Sequence, residues 1–111
     1  GAAAQLTRYL EFVAGHRSAD FAEKVKRMVC VLLPDGGARA DHVARQLGMD
    51  RRTLHRRLAR QGTSFSELVQ RERSELAQAY IAAGDRSRTE IAGLLGFSCL
   101  SAFSRWRRSV L

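Results

Sequence analysis

One proline, one tryptophan and two cysteines occur in 111 residues, and no run approaches the ~20 consecutive apolar residues needed to span a bilayer. The opening GAAAQLTRYLEF lacks the uninterrupted apolar core of a signal peptide. Cys30 in MVCVLL and Cys99 in GFSCLS have neither a second cysteine nor a histidine at metal-ligand spacing. That excludes a disulfide framework and a zinc module. Each cysteine is expected to be a small buried or half-buried hydrophobe in a reducing, cytoplasmic setting. His16, His42 and His55 are scattered, with no Ser, His and Asp constellation around them. Gly36 and Gly37 follow a proline turn but lack the downstream Lys and Ser/Thr of a phosphate-cradling loop. No catalytic residue, cofactor or metal is expected.

Acidic residues are also too few to balance the bases. Nineteen Lys and Arg face eleven Asp and Glu, a net charge of +8, and the pI is about 11.0. Such a surface calls for a polyanionic partner, either nucleic acid or an acidic membrane surface. β-Branched residues are few and Ala, Leu, Arg and Glu abundant, so the intrinsic preference is helical nearly throughout. With 45% hydrophobic residues the chain can build a core. It suffices for one ordinary domain or two very small helical subdomains.

Helical spacing of Leu6, Tyr9, Leu10 and Val13 suits a helix of about three turns ending at Gly15. After the polar break GHRSAD, Asp20 and Glu23 form a capping pair for a helix with Phe21, Val25, Met28, Val29 and Leu32 on one face, closed by Pro34 and DGG. A short helix through Val43, Ala44 and Leu47 follows, then the turn LGMD and a helix capped by Asp50. Ser64 with Glu67 opens a long helix running to Gly84, a rod of roughly 28 Å. Ser87 with Glu90 opens TEIAGLLG, which turns at GFS into a last helix containing FSRWRR.

HVARQLGMD from His42 aligns without a gap on EIAGLLGFS from Glu90, at an offset of 48 residues. Val43 falls on Ile91, Ala44 on Ala92, Leu47 on Leu95 and Gly48 on Gly96. A small residue facing the partner helix, a leucine three on, and a glycine where the chain leaves the helix sharply are the steric needs of a helix-turn-helix. Two copies in register, each followed by an arginine-bearing helix, make a pair of generic hairpins a poor explanation.

At 100° per residue, Leu54 and Leu58 mark the buried side of the helix after the first turn. Arg52, Arg56 and Arg60 then point away, beside His55 and Ala59, and Arg51 and Arg57 lie on the flanks. No acid interrupts Arg51 to Arg60, although a solvated face normally mixes signs at four-residue spacing. The repulsion makes sense if phosphates and base edges neutralise it, arginine being able to grip guanine by two hydrogen bonds. In the second copy Phe103, Trp106 and Val110, with Cys99 in line, form the expected buried stripe. Ser101, Ser104, Arg105 and Arg108 face outward, a set with less charge and more hydroxyl, suited to phosphate anchoring more than base discrimination.

These residues carry a resemblance to the DNA-binding region of AraC/XylS-type bacterial transcription regulators. VARQLGMDRRTLHRRLARQGTSF resembles that family's first helix-turn-helix, EIAGLLGFSCLSAFSRW its second, and LVQRERSELAQAYIAAGDRS the connecting helix, over roughly residues 20 to 108. The resemblance implies an all-α, homeodomain-like fold of two helix-turn-helix subdomains joined by a long linker helix. In the family the second turn is one residue longer, so Leu54 corresponds to Phe103 and Arg56 to Arg105. Base-edge contacts are implied for Arg52, His55 and Arg56, and for Leu100, Ser101, Ser104 and Arg105; phosphate contacts fall to Arg51, Arg57, Arg60 and Arg108. Arg107 departs from the pattern, standing where the family usually has a buried Phe, so Trp106 is expected to pack in its stead. Cys99 and Leu100 occupy commonly polar places.

The expected organisation is residues 1–19 as the remnant of an upstream sensor of the arabinose-binding-like type, 20–62 as the first subdomain, 63–84 as linker helix and 85–111 as an incomplete second subdomain, truncated before a Gly-Ser-Pro segment and closing helix. Double-stranded DNA is the expected partner and RNA polymerase a candidate second one, with no membrane involved. The fragment is expected to be monomeric, a dimer being open for the parent. Structured RNA binding and a protein-interaction helical module are the rival functions; the first lacks an exposed aromatic platform and leaves the duplication unexplained.

Overall fold

The computed structural model describes residues 17–110, and within them the chain is helical with no strand. The expected helix ending at Gly15 lies outside the described residues. The helices are α1 (Arg17–Leu32), α2 (Ala40–Gln46), α3 (Arg51–Arg60), α4 (Phe65–Ala83), α5 (Arg88–Leu94) and α6 (Leu100–Val110), with a 3-10 turn at Pro34–Gly36. α1 is helical from Arg17, upstream of the start expected at Asp20. No glycine or proline in Arg17 to Asp20 interrupts it, so the proposed capping pair falls inside the helix.

Three N-caps form as their spacing requires. Asp50 Oδ1 accepts from the Thr53 N–H at 2.7 Å, Ser64 Oγ from the Glu67 N–H at 3.2 Å, and Ser87 Oγ from the Glu90 N–H at 3.1 Å. Each satisfies one of the amides a helix start leaves without an intrahelical partner.

Two hydrophobic clusters form. The first unites Val25, Val29 and Leu33 with Val43, Ala44, Leu54, Leu58, Phe65 and Leu68. The second gathers Ala77, Ile91, Ala92, Leu95 and Phe103, flanked by Tyr80, Ile81, Phe97 and Trp106. Leu76 packs against both, so α4 supplies apolar surface to each cluster from one continuous helix.

α1 is tied to the end of α3 and to α4. Its Ala22 N–H donates to Gln61 Oε1 at 2.9 Å. Further along, Lys26 Nζ sits 3.5 Å from Glu72 Oε1 and 3.8 Å from Glu75 Oε2 on α4. Glu72 is only 6% exposed, and its Oε1 makes this ion pair without a well-directed hydrogen bond. Beyond the end of α1, the Leu33 carbonyl lies against Gly96 in the second turn.

Candidate nucleic-acid interface

The two turns share one backbone construction. The Met49 N–H donates to the Ala44 carbonyl and the Phe97 N–H to the Ala92 carbonyl, both at 2.9 Å, and Gly48 and Gly96 donate to Arg45 and Gly93 at 3.1 Å. Gly48 has φ of 72° and Gly96 of 84°, the left-handed region that a Cβ disfavours. The aligned sequences therefore fold alike at the level of single hydrogen bonds.

In α3, Leu54 and Leu58 are fully buried, while Arg51, Arg52, His55, Arg56, Arg57 and Arg60 are all exposed. The face calculation and the structure agree for every one of these side chains. Among the described residues no carboxylate forms an ion pair with these arginines; the ion pairs there involve Lys26, Arg39 and Arg45. The acid that adjoins them along the chain is Asp50, whose carboxyl is held below its ordinary range by the Thr53 backbone hydrogen bond and more weakly by Arg56 and Arg52. Its charge is spent mainly on capping the helix.

The second helix differs from its expected faces at several positions. Phe103 is buried and Trp106 half-buried as expected, and Ser101, Arg105 and Arg108 are exposed. Val110, placed on the buried stripe, is 46% exposed, because it stands a full turn past Trp106, where the second cluster ends. Cys99, expected to be buried or half-buried, is exposed. It precedes α6, with Sγ 3.2 Å from Ser101 Oγ, and that hydrogen bond is the largest influence lowering its thiol pKa. Cys30 is half-buried as expected; burial first, then the Glu72 carboxylate, push its thiol upward.

Ser104 also departs from the outward set. It is half-buried and borders an open groove of about 870 Å³, with Ile81, Ala82 and Phe103 beneath it and Arg107 and Arg108 alongside. At 100° per residue it stands a quarter-turn from Phe103, which brings it to the flank of α6 where α4 passes. Arg107 is half-buried on that flank, its stem beside apolar surface. Trp106 packs in the expected way: its ring centre is 5.5 Å from that of Phe97 and 6.2 Å from that of Phe103, and its Nε1 donates to Gln70 Oε1 at 2.6 Å.

Sequence reasoning missed Gln70 and Arg73 on α4. Arg73 Nε donates to the Leu95 carbonyl at 2.9 Å, and its guanidinium carbon lies 4.4 Å from the centre of the Phe97 ring. Burial lowers the Arg73 pKa, but a guanidinium stays charged in proteins. Nothing in QRERSEL marks one arginine among its neighbours, since its partners lie more than twenty residues away.

Among the described residues no helix is long and apolar enough to cross a membrane, and no group of three or more His, Cys, Asp or Glu could hold a metal. Comparison with known proteins matches the family described as "Helix-turn-helix domain" over residues 43–111. The chain is 40% identical over 99 residues to the HTH-type transcriptional regulator VirS of Mycobacterium tuberculosis, in each of two strains; the match covers 89% of this chain and 29% of that protein. It is 31% identical over 94 residues to the transcriptional activator NphR of a Rhodococcus species, covering 85% of this chain and 28% of the relative. The chain thus spans less than a third of the length of the curated relatives it matches. No solved structure matches it. With a duplicated turn, a shared connecting helix and a family match over most of its length, the chain belongs to the helix-turn-helix family of AraC type.

Proposed function

We propose that this chain binds double-stranded DNA sequence-specifically as part of a bacterial transcription regulator, placing α3 and α6 in successive major grooves on one face of the duplex. The observation that carries the reading is the exposed face of α3, five arginines and a histidine with no ion-paired carboxylate among the described residues, presented after a turn that α6 repeats. A face of one sign standing clear of the core fits a phosphate-lined groove. Arg52, His55 and Arg56 read base edges, while Arg51, Arg57 and Arg60 neutralise phosphates. On α6, Ser101 and Arg105 face the bases; Arg108 and the half-buried Ser104 lie nearer the sugar-phosphate backbone. Similarity to a regulator and an activator supports the class. Acting on a bacterial genome places the activity in the cytoplasm, and the domain does its work by binding, without a reaction of its own.

Two recognition helices one turn of B-DNA apart, ~34 Å or ~10 base pairs, imply an asymmetric site bound by one copy. Selection from a random duplex library with folded RNA as competitor tests this. A shared asymmetric motif, protected in footprinting and bound with strong salt dependence, is expected. Preferential retention on the RNA, or no common motif and no salt dependence, would overturn it in favour of an RNA-binding or protein-interaction module.

A further inference from the structure

We propose that Arg73, Gln70 and Gly96 are positioning residues that fix the distance and angle between α3 and α6, and so dictate the spacing of the two half-sites the molecule accepts; this deepens the DNA-binding reading and rests on it.

A single helix joining two small clusters leaves them free to twist about its end turns. Here three further ties remove that freedom. Arg73 holds the second turn from α4, bonding to the Leu95 carbonyl at 2.9 Å and covering the Phe97 ring at 4.4 Å. Gln70, three residues earlier and so on the same face of α4, holds α6 itself through the 2.6 Å bond from Trp106. The third tie comes from the other direction: Gly96 rests on the end of α1, whose Val25, Val29 and the following Leu33 belong to the first cluster.

The duplication supplies an internal control for the last of these. A Cβ at Gly48 would meet nothing within 4 Å, whereas one at Gly96 would stand 2.5 Å from the Leu33 carbonyl oxygen and 3.5 Å from the Gly36 Cα. Both glycines have positive φ and make the same turn hydrogen bonds. The turn motif therefore requires a glycine at both places, but only the second copy uses the missing side chain to seat one half on the other. The backbone contact it permits would have to open by roughly 1 Å to admit a methyl group. Duplex geometry is sensitive to such changes, since each base pair inserted between half-sites moves one relative to the other by about 3.4 Å and about 35°.

The test has two arms. In the first, residual dipolar couplings are measured on the 111-residue chain without DNA. Backbone amides of both halves should fit one alignment tensor in the wild type and in Gly48→Ala, and should require two in Gly96→Ala and in Arg73→Ala. In the second, the duplex chosen by the wild type is lengthened by two base pairs between its half-sites. The wild type should lose roughly 100-fold in affinity, because simultaneous engagement is then forbidden, and Arg73→Ala less than about tenfold. Arg73→Lys, which keeps the charge but loses the Nε donor and the planar stack, should behave as Arg73→Ala. One tensor for both Gly96→Ala and Arg73→Ala, or an undiminished spacing penalty in Arg73→Ala, overturns the proposal. Should Gly96→Ala fail to fold, Arg73→Ala decides. Absence of any selected duplex would overturn the DNA reading, and the first arm would still decide the positioning role.

Discussion

The guanidinium carbon of Arg57 lies 5.2 Å from the centre of the Phe21 ring, which ties one arginine of α3 back to α1. Arg56, one position earlier, has no such ring contact among the described residues. Cation–π pairs at exposed sites contribute about 0.5–1 kcal/mol, so Arg57→Ala should lower stability by about that amount and weaken binding evenly across DNA sequences. Arg56→Ala should leave stability within ~0.5 kcal/mol and cost ~1–3 kcal/mol on the preferred duplex alone. Titrations on preferred and scrambled duplexes, alongside thermal melts, separate the two.

Leu54 is fully buried in the first cluster, and its truncation removes packing that the surroundings can only partly restore. Leu54→Ala should cost ~2–5 kcal/mol in urea denaturation. If Arg56→Ala lost as much, the division of α3 into a packed and a binding face would be wrong.

The Asp50 carboxyl, held below its ordinary 3.8 chiefly by the Thr53 N–H, gives α3 a dependence on acid. The unfolded chain takes up this proton more readily than the folded one. The stabilisation is therefore complete above the ordinary value and is lost as pH falls through the lowered folded value. Asp50→Asn keeps an acceptor for the Thr53 amide but cannot titrate, so the wild type should lose stability relative to it as pH falls from above the ordinary carboxyl value to below it. Parallel denaturation curves at both ends would contradict the assignment.

Arg107 stands where the resemblance to the family implies a buried phenylalanine, yet α6 continues unbroken to Val110 with Trp106 packed on Phe97 and Phe103. Arg107→Phe should change stability by less than ~1 kcal/mol, as on other partly exposed sites, and should weaken DNA binding through the lost charge. Amide exchange is the check: strong new protection across α6 in the variant would mean that the arginine had been keeping the helix frayed.

Much of this architecture is legible along the chain because it is written in short-range pattern. The Leu54 and Leu58 spacing gives the face of α3, and Asp50, Ser64 and Ser87 announce helix starts three residues before the amides they cap. What pattern cannot convey is which distant element arrives. Glu72 looks like any acid of an exposed helix until α1 brings Lys26 beside it. Val110 continues an apolar stripe in register, but the surface it would cover has ended. Arg73 is one basic residue among several, distinguished only by what Leu95 and Phe97 offer across space.

Seated against Leu33, Gly96 has also made the two repeats non-interchangeable parts. A graft of residues 42–50 in place of 90–98 would deliver the permitted glycine, but with Met49 where Phe97 stands, leaving Arg73 without its ring. The reverse graft would bring Phe97 to a turn whose glycine faces open space. The two copies agree in the hydrogen bonds of the turns and differ at their surfaces: the first is followed by the more highly charged helix and the second is seated on the end of α1, so the order in which they occur along the chain is itself part of the structure.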